Sequence, residues 1–118
     1  MSGKLSTHVL DNYLGKPAAN VAWTLEYFDY SGAWTQLAQG ITNRDGRTDE
    51  PLLLDESLQT GKYRLKFGVG AYYNSLEIAL PSLPFLDIVP IEVSLLSGEN
   101  YHVPLLMTPW SYSTYRGS

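Results

Sequence analysis

Lys62-Tyr-Arg-Leu-Lys-Phe67 places a charged side chain at every second position, with a large apolar side chain after each one. Because successive side chains of a β-strand point to opposite faces, this period of two predicts a strand with one buried and one solvated face. The same alternation recurs in residues 21–28 and 89–96, and clusters of turn-forming residues separate the runs. The pattern therefore predicts a protein built from short antiparallel strands.

Seven strands follow from this alternation and from the turns that bound it. They cover residues 4–10, 20–29, 33–42, 61–68, 87–96, 100–107 and 110–116. Residues 71–78 predict one short helix. The 118 residues show no change of composition along the chain, so we expect a single domain spanning 1–118. The fold class we expect is all-β, a two-sheet antiparallel β-sandwich of about eight strands with one short helix.

Composition argues against several classes of partner. The net charge is −4 and the eight Lys and Arg residues form no cluster, so we expect neither nucleic acid nor a membrane surface as a partner. No apolar run approaches the roughly 20 residues of a membrane span. There is no cysteine to form a disulfide, and residues 1–15 lack the apolar core of a signal peptide. We therefore expect a cytoplasmic protein.

Both histidines fall on the less apolar face of a predicted strand. His8 has this position in the first strand and His102 in the penultimate one. Ser111, Ser113 and Tyr115 share one face of the last strand. If these three strands are neighbours in one sheet, all five side chains lie on its outer surface. Such a surface becomes an active site only when something covers it and excludes water.

Three motifs of this sequence resemble those of one family. Leu5-Ser-Thr-His-Val-Leu-Asp11, followed by Gly15-Lys-Pro-Ala18, resembles the N-terminal signature of the 5-hydroxyisourate hydrolases, the transthyretin-like proteins of purine breakdown. Thr42-Asn-Arg-Asp-Gly-Arg47 resembles their central motif. Tyr101-His-Val-Pro-Leu-Leu106 and the closing Tyr115-Arg-Gly-Ser118 resemble their C-terminal signature. The resemblance spans the whole chain, with the motifs in the family's order.

The resemblance implies a fold and an assembly. The relatives are transthyretin-like β-sandwiches that pair edge to edge into dimers, and two dimers stack into a homotetramer crossed by a channel. The sites would lie at the subunit interface, where a second dimer covers the outer sheet surface. Met107, Thr108, Trp110 and residues 80–90 depart from the family's pattern, but none of them is a residue on which the chemistry depends.

The resemblance also implies an activity, hydrolysis of 5-hydroxyisourate to 2-oxo-4-hydroxy-4-carboxy-5-ureidoimidazoline in urate degradation. Water attacks a ring amide of this small, polar, oxidised purine, and one group must remove the proton of that water. Histidine suits proton transfer, because its ordinary pKa of about 6.5 lies near neutral pH. In the family, the positions of His8 and His102 are both catalytic. We assign His102 as the general base and His8 as its partner, with the reverse assignment open.

Four further residues complete the site that the resemblance implies. Arg47 matches the family's catalytic arginine, and its guanidinium fork suits the binding of substrate oxygens and of oxyanion charge. Tyr115 would close the site as a further catalytic residue. Ser113 and Ser118 would bind the substrate together with the catalytic residues. We expect Arg116 to anchor the chain end or a carboxylate, and the family's reaction implies no cofactor.

Other functions remain open. A transthyretin-like carrier would bind a small aromatic ligand in the tetramer channel, and a structural sandwich would bind none; His8, Arg47 and His102 together favour the enzyme. No Gly-x-Ser-x-Gly motif indicates a serine nucleophile. A metal site is not expected, because the histidines lack His-x-x-x-His spacing and cysteine is absent. Asp11 and Asp45 are interpreted as turn residues that bond the nearby backbone.

Overall fold

Residues 2–117 of the chain are described by a computed structural model, in which nine strands form two sheets packed face to face. The elements are β1 (Lys4–Asp11), β2 (Lys16–Pro17), β3 (Ala22–Phe28), β4 (Trp34–Ile41), β5 (Leu53–Leu54), a 3-10 turn (Asp55–Ser57), β6 (Gly61–Gly68), α1 (Val69–Asn74), β7 (Ile88–Leu95), β8 (Asn100–Met107) and β9 (Tyr112–Ser113). The first sheet has the order β2-β1-β8-β9, with β5 also paired to β1, and the second has the order β4-β3-β6-β7. The predicted all-β sandwich is confirmed.

The pairing of β1 with β8 is parallel, with Lys4 opposite Asn100 and Asp11 opposite Met107. The other strand pairs described within residues 2–117 are antiparallel, as the sequence predicts. Antiparallel neighbours can be joined by a tight turn, whereas parallel neighbours need a long connection. The whole second sheet lies between β1 and β8 along the chain, and it provides that connection.

Each sheet turns one face to a shared core. Leu5 and Val9 of β1, Leu105 of β8, and Leu65 and Phe67 of β6 are all fully buried in one apolar cluster. Each such side chain contributes roughly 1.5–3 kcal/mol by leaving water. The alternate side chains of β1 and β8 point away from the core, and we call this side the outer face of the first sheet.

Two predicted elements are shorter in the structure. The strand predicted over 110–116 is reduced to β9, because the Thr108 hydroxyl accepts the N–H groups of Trp110 and Ser111 in a turn that delays the strand. The helix predicted over 71–78 is α1, which begins and ends earlier. No helix within residues 2–117 is long and apolar enough to cross a membrane.

Asp11 ends β1 as a buried carboxylate with four hydrogen bonds. Its Oδ1 accepts the N–H groups of Tyr13 and Leu14, each at 3.0 Å, which confirms the predicted turn role. Oδ1 also accepts the hydroxyl of Tyr73 of α1, and Oδ2 accepts the hydroxyl of Tyr72, each at 2.8 Å. Burial and the Asp11 carboxylate raise the pKa of both tyrosines, so both remain donors. Asp11 therefore fastens α1 to the first sheet.

Candidate active site

The parallel pairing brings the two histidines onto neighbouring strands. Ser6 lies directly opposite His102, and His8 lies opposite Pro104, two positions further along both strands. Both imidazoles are half-buried on the outer face of the first sheet. The condition that the first and penultimate strands are neighbours in one sheet is therefore met, and the histidines occupy diagonal positions on one surface.

His8 is held by a backbone carbonyl. Its Nε2 lies 2.9 Å from the carbonyl oxygen of Asp45. Because a carbonyl oxygen can only accept a hydrogen bond, Nε2 must carry a hydrogen. Neutral His8 therefore has its lone pair on Nδ1. The imidazole is arranged to take up a proton at that atom.

One turn supplies both this carbonyl and Arg47. The Oδ1 of Asn43 accepts the N–H groups of Asp45 at 2.9 Å and Arg47 at 3.1 Å. Gly46 has a φ of 74°, and its carbonyl accepts the N–H of Val9 in β1 at 2.7 Å. A Cβ at Gly46 would collide with the Val9 carbonyl oxygen, so only glycine fits without strain. The turn is thereby fixed against the strand that carries His8.

Arg47 places a permanent positive charge beside both imidazoles. Burial, and after it the Arg47 charge, lower the pKa of His8 and of His102. The charges of His8 and Lys4 lower the pKa of His102 further. The hydrogen bond from His8 to the Asp45 carbonyl raises the pKa of His8, but burial and the Arg47 charge lower it by more. Both histidines are therefore neutral at neutral pH.

His102 is held by two segments of the chain. Its Nδ1 lies 2.9 Å from the hydroxyl oxygen of Ser6. Its backbone exchanges two hydrogen bonds with Gly117, at 2.7 and 3.2 Å. A Cβ on Gly117 would lie 3.1 Å from the ring carbon Cδ2 of His102, so glycine allows the chain end to pack closely against the imidazole. No group of residues 2–117 bonds to Nε2 of His102.

Ser113 and Tyr115 lie in the exposed chain end beside β8. Ser113 pairs with Leu106 of β8. Tyr115 is 59% exposed and borders a groove along β7. Within residues 2–117, neither hydroxyl bonds to a histidine or to Arg47, so the roles assigned to both residues stay predictions. Ser118, a predicted substrate ligand, lies outside the described residues.

Arg116 fastens the chain end to the start of β8. Its Nη2 lies 3.9 Å from Oε1 of Glu99 and 3.5 Å from the carbonyl oxygen of Asn100. Its guanidinium stacks over the ring of Tyr101 at 4.7 Å. The prediction that Arg116 anchors the chain end is confirmed, and this anchoring holds the following glycine in place.

A small cleft opens beside Ser6 and Arg47, and neither histidine lines it. It has a volume of about 160 Å³, and its lining includes Lys4, Ser6, Arg47, Asp49 and Glu50. A larger cavity of about 390 Å³ lies at the end of α1, where its lining is mainly apolar and contains no imidazole or guanidinium. The small cleft is the better candidate site, because its lining contains Arg47 and also Ser6, whose hydroxyl contacts His102.

The sequence misses two contacts that hold the imidazoles. Alternation puts Ser6 on the same face as His8, but only the register with β8 shows that it contacts His102. Asp45 is a turn residue, as the sequence predicts, yet it holds His8 through its main-chain carbonyl, which no side-chain pattern reveals. Within residues 2–117, no three His, Asp or Glu side chains converge so as to hold a metal ion.

Known proteins resemble this chain along its whole length. A model of the HIUase/Transthyretin family matches residues 5–117. A 5-hydroxyisourate hydrolase of Halalkalibacterium halodurans is 45% identical over 119 residues, covering 100% of both chains. The crystal structure of (S)-allantoin synthase superposes with a TM-score of 0.92 at 36% identity, over 99% of this chain and 44% of that longer chain. Sea bream transthyretin in complex with thyroxine superposes with a TM-score of 0.86 at 29% identity, over 97% of this chain and 94% of that chain.

Proposed function

Since the chain belongs to the HIUase/Transthyretin family, we propose that it hydrolyses 5-hydroxyisourate to 2-oxo-4-hydroxy-4-carboxy-5-ureidoimidazoline, as a cofactor-independent enzyme of urate degradation. One observation carries the proposal: His8 and His102 lie on neighbouring strands, and the charge of Arg47 acts on both. Two neutral imidazoles and a permanent cation supply the proton transfer and charge stabilisation that opening a cyclic amide requires.

The first step is the attack of water on a ring carbonyl of the substrate. His8 takes the proton of that water at Nδ1, because its Nε2–H is already bound to the Asp45 carbonyl. The lowered pKa of His8 keeps this atom unprotonated at neutral pH. The sequence analysis assigns His102 as the base and leaves the reverse open, and the carbonyl contact supports the reverse, with His8 as the base.

The second step breaks the ring C–N bond. Arg47 stabilises the negative charge on the attacked carbonyl oxygen, a role worth roughly 2.7–4 kcal/mol for a well-placed donor. Its guanidinium is free to do so, since no carboxylate of residues 2–117 lies within ion-pair distance of it. The proton taken up by His8 passes through solvent to His102, and His102 in its protonated form then gives a proton to the leaving ring nitrogen. Both imidazoles end the cycle neutral.

Three residues at the chain end enter the proposal through the family resemblance. Tyr115 closes the site as a catalytic residue, and Ser113 and Ser118 bind the substrate. Deletion of residues 115–118 should therefore abolish activity while lowering the melting temperature little. Parallel losses of activity and thermal stability would instead assign the segment a structural role.

We also propose a homotetramer, a dimer of dimers with the sites at the subunit interface. In a single chain Arg47 is exposed and both histidines are only half-buried, so water reaches the outer face of the first sheet. A second copy stacked on that face would exclude bulk water and strengthen the electrostatic contacts inside. Light scattering should then give four times the chain mass of 13.2 kDa. A fully active monomer would contradict this assembly.

The compartment we propose is the cytoplasm. The sequence has no cysteine and therefore gains no disulfide from an oxidising compartment. Fractionation of cells that express the full chain would test this, and recovery outside the cytoplasm would count against it.

The decisive assay generates 5-hydroxyisourate from urate with urate oxidase and follows its ultraviolet absorbance. The decay should accelerate in proportion to the concentration of the protein. A variant with both His8→Ala and His102→Ala, shown by circular dichroism to be folded, should leave the spontaneous decay unchanged. No acceleration by the wild-type protein would end the proposal.

A transthyretin-like carrier is the second candidate, favoured by the superposition on a transthyretin in complex with thyroxine. A carrier would bind a small aromatic ligand in a tetramer channel and leave the decay of 5-hydroxyisourate unchanged. Calorimetric titration with thyroxine separates the two functions. Submicromolar binding without any acceleration of the decay would favour the carrier.

A further inference from the structure

Ser6 is the side-chain hydrogen-bond partner of the His102 ring. Its hydroxyl lies 2.9 Å from Nδ1 and makes no other hydrogen bond within residues 2–117. The two residues are directly opposite in the parallel register of β1 and β8, and both are half-buried. Backbone pairing with Gly117 fixes the main chain of His102 as well. The contact is therefore set by the sheet rather than by a mobile loop.

Two arrangements of hydrogens satisfy this contact. Either the Ser6 hydroxyl donates to Nδ1, or Nδ1–H donates to the Ser6 oxygen. Each arrangement leaves one hydrogen without an acceptor among residues 2–117, the Ser6 hydroxyl hydrogen in the second and Nε2–H of His102 in the first. In the first, the unpaired hydrogen lies on Nε2, the ring nitrogen that no described group bonds. The first arrangement also requires a neutral His102, in keeping with the pKa that burial and the charges of Arg47, His8 and Lys4 lower.

We infer that Ser6 is a positioning residue, which donates its hydroxyl to Nδ1 and so keeps the hydrogen of His102 on Nε2. This inference deepens the proposed function and rests on it for the catalytic consequence, namely that His102 acts as the proton donor. His8 has the opposite arrangement, with Nε2 bound to Asp45 and a lone pair on Nδ1. Ser6 and Asp45 thus give two chemically identical side chains different roles.

Ring-nitrogen chemical shifts report the tautomer directly. The probe is the full chain labelled with ¹⁵N in its two histidines, without substrate. Wild-type His102 should carry its hydrogen on Nε2, and Ser6→Thr, which keeps the hydroxyl on a strand, should preserve that pattern. Ser6→Ala should move the His102 signals towards a mixture of tautomers. The His8 signals serve as the internal reference, because Ser6 does not contact that ring.

Kinetics give the catalytic readout. Ser6→Ala should lower kcat for 5-hydroxyisourate by roughly 3- to 10-fold at unchanged KM, the factor expected for one lost hydrogen bond, and Ser6→Thr should restore it. Ser94→Ala, the same substitution at an exposed position of β7, should leave kcat unchanged.

The outcomes separate the two proposals. A wild-type hydrogen on Nδ1, or a tautomer that does not respond to Ser6→Ala, would overturn the positioning role. An unchanged kcat in Ser6→Ala would overturn its catalytic consequence. If the tautomer depends on Ser6 but the wild-type protein does not accelerate the decay, the positioning role stands and the proposed function fails.

Discussion

The outer faces of the two sheets differ in whether their charged side chains form ion pairs. On the second sheet, Glu26 lies 2.7 Å from Nε of Arg64 and 3.5 Å from Nζ of Lys66. The guanidinium of Arg64 also packs over the ring of Trp34 at 4.2 Å. These charges find their partners within the sheet itself.

On the first sheet, Lys4 and Arg47 lie near two imidazoles. Within residues 2–117, no carboxylate is within ion-pair distance of either cation. Their charges lower the pKa of His102, so the imidazole stays neutral beside two cations. Groups with shifted pKa values are typical of functional sites. The contrast therefore supports the outer face of the first sheet as the proposed site.

The largest effect should come from the imidazoles. His8→Ala or His102→Ala should lower kcat by about 10²- to 10⁴-fold, because each removes a group that transfers a proton. Lys66→Ala on the opposite sheet is the control and should leave kcat unchanged. Initial rates of 5-hydroxyisourate decay provide the measurement, with circular dichroism to confirm folding. Near-normal rates in both histidine variants would remove the proposed acid–base pair.

Arg47→Gln should lower kcat/KM by about 10²-fold through the loss of oxyanion stabilisation. It should also move the acid limb of the pH–rate profile. The Arg47 charge lowers the pKa of both histidines, so its removal raises them, and the active neutral form is lost at a higher pH as the solution is acidified. Arg64→Gln removes a guanidinium from the other face and should shift neither quantity. An unmoved acid limb in Arg47→Gln would contradict the electrostatic coupling.

Gly46→Ala should lower the free energy of unfolding by about 1–3 kcal/mol, since it forces a Cβ into a left-handed position and against Val9. Activity should fall with it, because the same turn carries the Asp45 carbonyl. Gly32→Ala is the matched control in a turn of the second sheet. Its φ is 82°, but nothing lies within 4 Å of the added Cβ. Urea unfolding should show the smaller loss there, and equal losses would mean that backbone strain alone decides.

The smallest effect should be the loss of stability when one partner of the ion pair on the second sheet is removed. Glu26→Gln should cost about 0.2–1 kcal/mol of stability at neutral pH, the range for ion pairs near the surface, since Glu26 and Arg64 are only partly buried. The hydrogen bond from Arg64 lowers the pKa of Glu26 below 4.5, so its contribution is present above that value and is lost as pH falls through the lowered pKa. Thermal unfolding of both proteins should therefore converge in acid. A difference that persists there would assign the effect to packing.

Alternation is enough to predict the long strands and the faces they bury. In β6, Tyr63, Leu65 and Phe67 are buried, while Arg64 and Lys66 stay partly exposed, as a period of two requires. The same rule puts both histidines on outer positions. It works because burial of one face repeats along the whole length of each strand.

The rest depends on information that a pattern of side chains does not carry. The two-residue strands β2 and β5 are too short to alternate, and the parallel register of β1 with β8 joins distant parts of the chain. The roles of Ser6 and of the Asp45 carbonyl follow from that register and from a backbone turn. Asp11 is a turn residue in the sequence, and only the fold brings two tyrosine hydroxyls to it.

The pairing of β1 with β8 determines when, during synthesis of the chain, Ser6 and His102 can meet. Ser6 and His102 are 96 residues apart in sequence, and they meet only once β8 has been added beside β1. Since the ribosome makes a chain from its N-terminus at roughly 5–20 residues per second, Ser6 and His102 come together only after β8 has been synthesised. A nascent fragment that lacks β8 carries His8 but not His102. The proposed activity therefore requires that the strands of both sheets have been made first.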